Sequence, residues 1–424
     1  MPSLRVAVRW GAAALGCVTF AACTNSATPT TSSAPATNST SAPVTDDGTL
    51  VLGAVLPRGG VAPELGVSLR AAVKLAVTEI NAAGGVMGKP VDLILRDEGD
   101  SAATSLLAVQ ELVQLGVDAI IGPTSSIDLL GTLGTSVDSG VLTCSPTASA
   151  LSLDDFPDNG LLLRTVPSDS LQARALARVV EESGSSSAVV VYLDDAYGRP
   201  FAEATETAMR ANGTSIAASV GFQSGADSID AAVTAVAEAN PQVVVVIADK
   251  STGPAIISTI DDSLGQTTPT YVLNDAIRRP DASSVPFGRG LVERVTGVSP
   301  LAYPTSTDFL ADLRTTESDA TGLFAANAYD CTNLIALAAQ ASGSTNPFAI
   351  AASVPGVSDG GLSCRTFAQC STVLDQGRNP DYDGPDGVMA IDANGNPSAA
   401  IFERFTFDAN GRDVTTGLIT IGPV

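Results

Sequence analysis

The sequence predicts an α/β protein of two doubly wound parallel-sheet lobes joined by a multi-strand hinge. Three observations predict it: strand and helix patterns alternate along most of the 424 residues, many strand runs are apolar on both faces, and the alternation comes in two successive series. Runs such as Val189-Val190-Val191 and Val243-Val244-Val245-Val246-Ile247 offer no polar side to water, which suits parallel strands covered by helices on each face. Right-handed crossovers then wind the connecting helices onto both sides of each sheet. At roughly 100–200 residues per domain, the length accommodates two lobes.

The first series opens with a strand at 50–56 and a helix over 63–83, where Leu65, Leu69, Val73, Ala76 and Ile80 form one stripe and Gly84-Gly85 stops the helix. A strand at 91–95, a helix at 101–115, a strand at 119–121, a helix at 126–137 and a strand at 141–144 follow. A second series begins near 161, with strands at 188–193, 215–220, 243–248 and 270–273 and helices at 168–182, 200–211, 228–239 and 252–264. The last third reads as helices at 307–317, 324–341 and 367–376, then strands at 388–391 and 400–407. Such a tail can cross between lobes and finish both sheets. The expected division is 49–165 plus about 295–385 for lobe 1, and 166–294 plus about 386–424 for lobe 2. Crossings are expected near Val166, near Val292 to Thr296, and between Gly384 and Ala400.

Composition narrows the chemistry. Lys and Arg total 22 against 45 Asp and Glu, a net charge of −23, so nucleic acid is a poor partner for this surface. There is no histidine, which removes Ser-His-Asp and Cys-His mechanisms and every imidazole metal ligand. With 45% apolar residues and only 16% charged, most of the chain can bury a core.

Residues 1–22 read as a secretory leader: Arg5 and Arg9 precede an apolar stretch from 10 to 22 that ends Phe20-Ala21-Ala22 before Cys23. The stretch is shorter than the ~20 apolar residues a bilayer span needs. Small residues directly before a cysteine resemble a bacterial lipobox, with Phe20 where Leu is usual, so Cys23 is the expected lipidation site and Cys17 a weaker one. Residues 23–48 are expected to form a Ser/Thr/Ala/Pro-rich disordered tether, because such a segment cannot bury enough apolar surface to offset its ordering entropy. Removing the leader leaves 20 basic residues against 45 acidic ones and takes away Trp10, the only tryptophan.

Four cysteines remain for an oxidising compartment, where three pairings are open. Cys364 and Cys370 would close a short loop; Cys144 with Cys331 follows if the strand end and the helix carrying them are neighbours.

Open parallel sheets bind ligands outside the carboxyl ends of their strands. Those ends carry Gly122-Pro123-Thr124-Ser125-Ser126, Ser145-Pro146-Thr147-Ala148-Ser149, Asp194-Asp195-Ala196-Tyr197-Gly198, Asp249-Lys250 and Asn274-Asp275. The helix start near Ser125 offers hydroxyls and unpaired first-turn N–H groups to a carboxylate, and Asp275 could take an ammonium. Singly, each has a plainer reading, Ser125 as an N-cap and the Asp-rich ends as turns.

Together with Glu79-Ile80-Asn81-Ala82-Ala83-Gly84-Gly85, Gly88-Lys89-Pro90, Arg164-Thr165-Val166-Pro167-Ser168-Asp169 and Tyr329-Asp330, these segments resemble the leucine/isoleucine/valine-binding family over about residues 49–410. The resemblance implies the type I periplasmic-binding fold and a monomeric, extracytoplasmic solute receptor of an ABC importer. It also implies no enzyme activity, cofactor or metal, and partners limited to a permease, an ATPase and the small ligand. By position it implies carboxylate binding by Ser125, Ser126 and Ser149, with the Ala148 carbonyl and Asp275 toward the ammonium and Tyr197 as the second-lobe aromatic. The chain departs from the family near Leu65, where an aromatic is usual, and near Asp249-Lys250, where a tyrosine is. A branched-chain ligand therefore does not follow, and urea, short amides and aromatic acids stay open. A sensor of the same fold, reporting to a signalling partner, is the alternative; an acid-based hydrolase in the same cleft is the enzyme rival.

Other motifs carry less. Asp392-Ala393-Asn394-Gly395 and Asp408-Ala409-Asn410-Gly411 lack the spacing and distant Glu of a calcium loop and read as turns. No phosphate-binding loop occurs, so ATP hydrolysis would belong to another chain. Asp97-Glu98 and Asp194-Asp195 are adjacent on strands and point to opposite faces, so neither forms a facing dyad.

Overall fold

A computed structural model describes residues 46–59, 63–223, 226–249, 251–265, 268–278, 287–387 and 389–422. The leader, Cys17, Cys23, most of the tether and Lys250 lie outside the described residues.

The first series forms β1 (Val51–Leu56), α1 (Pro63–Ala82), β2 (Asp92–Asp97), α2 (Ala102–Gln114), β3 (Ala119–Ile121), α3 (Ser126–Asp138), β4 (Leu142–Ser145) and β5 (Leu162–Arg164). The five strands are parallel in the order β2-β1-β3-β4-β5. The second series forms α4 (Asp169–Glu182), β6 (Ser187–Leu193), α5 (Gly198–Ala211), β7 (Ser215–Phe222), α6 (Ala226–Ala239), β8 (Val243–Ile247), α7 (Gly253–Ser263), β9 (Thr270–Leu273), α8 (Arg289–Val292) and β10 (Val295–Pro300). The chain then returns to the first lobe as α9 (Thr307–Thr316), α10 (Ala325–Ser342), α11 (Pro347–Ser358), β11 (Leu362–Cys364), α12 (Phe367–Asp375) and β12 (Pro380–Tyr382). It ends as β13 (Ala400–Phe407) and β14 (Asp413–Ile421), which extend the second sheet to the order β14-β13-β10-β9-β8-β6-β7. Here β13 runs antiparallel to β10 and β14.

Alternation along the valine runs explains why helices cover both faces. In the second sheet Val190, Val243, Val245 and Val272 pack with α4 and α5 residues such as Leu176, Val180 and Phe201. Val189, Val191, Val244 and Val246 pack on the other face with Ile256, Ile257 and Ile260 of α7. At about 1.5–3 kcal/mol for each fully buried Val, Leu or Ile side chain, these two interfaces are the main stabilising term of the lobe. In the first sheet Leu52, Ala54, Ile121 and Cys144 join α1 and α10 in one core, while Val55 and Ile120 face Val109 and Leu112 of α2. Gly53 lets Leu112 lie against the sheet, since a Cβ there would come within 2.7 Å of its methyl group.

Three expectations are corrected. Val295–Pro300 pairs with β9 and β13, so the boundary expected near 295 falls after Pro300 and the expected crossing at 292–296 moves with it. No strand forms over the described part of 388–391; Ile391 makes only an isolated bridge to Pro397, because the Asp392 carboxylate takes the Asn394 and Asn396 amides and folds the chain back at once. The helix α11, which contains Pro355, and the strand β14 were not expected.

Both cysteine pairs are bridged, Cys144 to Cys331 with Cα atoms 5.8 Å apart and Cys364 to Cys370 at 5.3 Å. The first staples β4 to α10, close under the interlobe crossing at Thr165, whose hydroxyl donates to the Asn327 carbonyl (2.8 Å). The Asn327 amide donates back to the Thr165 carbonyl (2.8 Å). Arg164 N–H donates to the Gly395 carbonyl, which ties the first crossing to the last.

Candidate functional site

On the first lobe the carboxyl ends of β1 to β4 surround a cavity of about 660 Å³, lined by Pro57, Leu65, Glu98, Thr124, Ser125 and Phe324 among others. Glu98, at the end of β2, is only 2% exposed. Its carboxylate accepts the Thr124 N–H (2.9 Å), the Thr124 hydroxyl (2.7 Å) and the Ser125 N–H (3.3 Å). Burial nevertheless pushes its pKa up to about 7, against the pull of these bonds.

Ser125 caps α3 by accepting the Asp128 N–H (3.0 Å), and its own N–H is bound to Glu98. Its hydroxyl and amide are thus engaged within the lobe, as an N-cap requires. Ser126 is turned to the neighbouring strand end, where its hydroxyl accepts the Ala150 N–H (3.3 Å). Ala148 is buried in the lobe-1 core, whereas its neighbour Thr147 lines the cavity and donates to the Thr124 carbonyl (2.7 Å). Leu65 lines the same wall.

Ser149 leads into a second cluster. Its carbonyl accepts the Asp169 N–H (2.9 Å), and its side chain lies beside the Asp169 carboxylate. Asp169 stands at the first position of α4, where Ser168 is the N-cap, and is 1% exposed. Burial, with the nearby charge of Asp275, pushes its pKa well above the usual carboxylate range.

Asp275 follows β9 and accepts the Gln172 side-chain amide (2.8 Å), which also donates to the Val298 carbonyl (2.9 Å). Its pKa is raised as well, chiefly by burial. Tyr197, at the start of α5, lies near both acids and Asn274; burial and the two negative charges push its phenol pKa far up. The tyrosine ring is braced edge-on by Phe201, with centroids 5.7 Å apart. Its loop is anchored by Asp195, which takes the Tyr197 and Gly198 amides (3.0 and 2.7 Å).

Three atoms of this cluster, Asp169 Oδ1, Gln172 Oε1 and Asn274 Nδ2, are buried without a hydrogen-bond partner. Buried polar atoms are almost always paired, so such a concentration is a strong signal of a site that takes a polar group from outside. The structure therefore brings Ser149, Tyr197 and Asp275 together, with Ser126 one hydrogen bond away through Ala150. Ser125 and Leu65 belong to the adjoining lobe-1 wall.

Asp169, Gln172, Asn274 and Glu98 were not singled out from sequence. Asp169 sits in a Ser-Asp pair that reads as a helix cap, and Glu98 in an adjacent carboxylate pair that reads as solvated charge. Asp249 is occupied structurally, because its carboxylate takes the Ser251 and Thr252 amides (both 2.8 Å) at the start of α7.

Residues 49–379 match the family described as periplasmic binding protein. The chain is 28% identical over 338 residues to the "Chemotactic signal transduction system substrate-binding protein BasB" of Halobacterium salinarum, covering 76% of this chain and 78% of that one. It is 30% identical over 148 residues to "Leu/Ile/Val-binding protein BraC3" of Rhizobium johnstonii, covering 34% and 40% of the two chains. An ABC transporter substrate-binding protein of Desulfitobacterium hafniense, solved in complex with Leu, superposes with a TM-score of 0.66 at 20% identity, covering 87% of this chain and all of that one. The chain belongs to the periplasmic binding protein family and has the type I fold of its leucine/isoleucine/valine-binding homologues.

Proposed function

We propose that this chain is a lipid-anchored, extracytoplasmic receptor that closes its two lobes around an amino acid and delivers it to an ABC permease. The observation that carries the reading is buried Asp169 and half-buried Asp275 beside unpartnered Gln172 and Asn274 atoms, with Tyr197 alongside. Two carboxylates and a phenol form a receptor for a primary ammonium. Ser149 and Ser126, the latter at the start of α3, supply hydroxyl donors for a carboxylate. Ligand contacts shared by both lobes would stabilise the closed state over the open one, and that difference drives the hinge.

The anchor rests on the leader and on Cys23 after Ala21-Ala22. Among the described residues no helix is long and apolar enough to cross a membrane. Delivery to a signalling partner is a second reading, favoured by the similarity to a protein named for chemotactic signal transduction over 76% of this chain.

Calorimetric titration with the L-amino acids, compared with urea, short amides and benzoate, tests the ligand class. Binding by an amino acid that disappears when its ammonium is removed supports the ammonium site. Equal binding by a carboxylate lacking an amine sinks it.

A further inference from the structure

Asp169 and Gln172 lie one turn apart on α4, Gln172 donates to Asp275 (2.8 Å), and one buried oxygen of Asp169 has no hydrogen-bond partner. Arg164 near Asp169 and Arg278 near Asp275 favour the charged acids, but neither donates a hydrogen bond to them. Arg164, fully buried, donates to the Ala150 carbonyl (3.2 Å) and Asn396 (2.8 Å) and pairs with Asp154. Arg278 is held by Glu403 (2.6 Å) and Asp413 (2.7 Å). Asp195 faces the Tyr197 and Gly198 amides, and Tyr197 is a neutral phenol. Asp154 adds a further negative charge near Asp169. Two negative charges in so desolvated a place are costly unless a cation or a proton joins them.

We propose that, before ligand binds, the site formed by Asp169 and Asp275 holds one proton and exchanges it for the ligand's ammonium, so that ligand binding releases a proton to solvent. The proposal rests on the ammonium reading above. The exchange is balanced: a carboxylic acid and an alkylammonium become a carboxylate–ammonium pair and a solvent proton. The α4 N-terminus favours charge on Asp169 once the cation has arrived, while burial opposes it beforehand.

The consequence is selective as well as regulatory. A neutral amide or urea cannot displace the proton, because it brings no charge to replace it. A ligand with an ammonium binds progressively more weakly as acidity rises, since it competes with protons for the same two carboxylates.

The test has two arms on the mature protein. In the first, each of the twenty L-amino acids is titrated calorimetrically near pH 7 in phosphate and in Tris, whose ionisation enthalpies differ. The expected result is release of about one proton per ligand bound. In the second, ¹³C-aspartate NMR of the empty protein is expected to show a neutral carboxyl near pH 7 besides those of the other buried acids, Asp118 and Asp330. That signal should be lost in D275N and retained in D128N, a control on the other lobe.

Amino-acid binding without proton release overturns the exchange and leaves the receptor reading intact. So does a spectrum with both acids ionised in the empty site. Failure of every amino acid to bind overturns the receptor reading and the exchange with it.

Discussion

The Thr124 amide and hydroxyl both end on the carboxylate of Glu98, at 2.9 and 2.7 Å, so the loop leading into α3 is held by the protein's own anion. Because Glu98 is buried and its pKa lies at about 7, it binds a proton in the folded state at pH values where the unfolded chain has released it. Asp118, which accepts the Val51 N–H (2.8 Å), is also pushed up to about 7 by burial. The stability these protons contribute is fully present below the unfolded pKa values and is lost as pH rises through about 7. The melting temperature of the unliganded protein is therefore expected to fall between pH 5 and pH 8. The loss attached to Glu98 is about 3 kcal/mol at most. Calorimetry across this range should give a shallower slope for E98Q, and an unchanged slope would remove Glu98 as a source.

Ser125 and Ser149 should separate under mutation. Ser125→Ala deletes the acceptor for the Asp128 N–H and is expected to cost about 1 kcal/mol of stability while leaving ligand affinity nearly unchanged. Ser149→Ala removes a side chain that touches Asp169 and is expected to weaken binding about tenfold, the worth of about 1.4 kcal/mol. Urea denaturation and calorimetric titration of the two variants read these effects apart.

Asp275→Ala leaves the Gln172 amide without one of its acceptors and the proposed ammonium without a counter-ion. Removing one member of a buried charge pair typically costs about 3–5 kcal/mol, so amino-acid affinity should fall at least a hundredfold. Affinity within a few-fold of the native protein would mean that the ammonium lies elsewhere.

The two disulfides close loops of very different size, with sequence separations of 187 and 6. Chain entropy assigns about 5 kcal/mol to Cys144–Cys331 and about 2 kcal/mol to Cys364–Cys370. Denaturant unfolding of C144S/C331S and C364S/C370S should preserve that order. The larger bridge also braces β4, from which the chain continues to Ser149, so its loss should weaken ligand binding as well.

Lipidation at Cys23 predicts that C23S releases the protein from the membrane fraction. Because the only tryptophan is Trp10, the mature chain should show no tryptophan fluorescence. Membrane retention of C23S, scored by blotting of fractions, would overturn the anchor.

Much of the fold is legible in the sequence because period and composition are local. The alternating valines of β6 and β8, the apolar stripe of α1 and the helix stop at Gly84-Gly85 declare themselves within a few residues. The strand β14 is harder to read because Gly417 and three threonines interrupt its apolar positions, and α11 is obscured by Pro355. Positions such as Ser149, Tyr197 and Asp275 are legible as strand ends. Their chemistry is not, because it depends on what stands opposite them.

The chain order by itself determined an α/β protein in two lobes and an acidic chain without imidazole chemistry. Only the tertiary structure decided that Val295–Pro300 belongs to the second sheet, that Glu98 fills the amides before α3, and that Gln172 of α4 reaches Asp275. Each of those facts depends on pairing or desolvation by residues distant in sequence. A carboxylate looks the same in a sequence whether water, an amide or another carboxylate will be its neighbour.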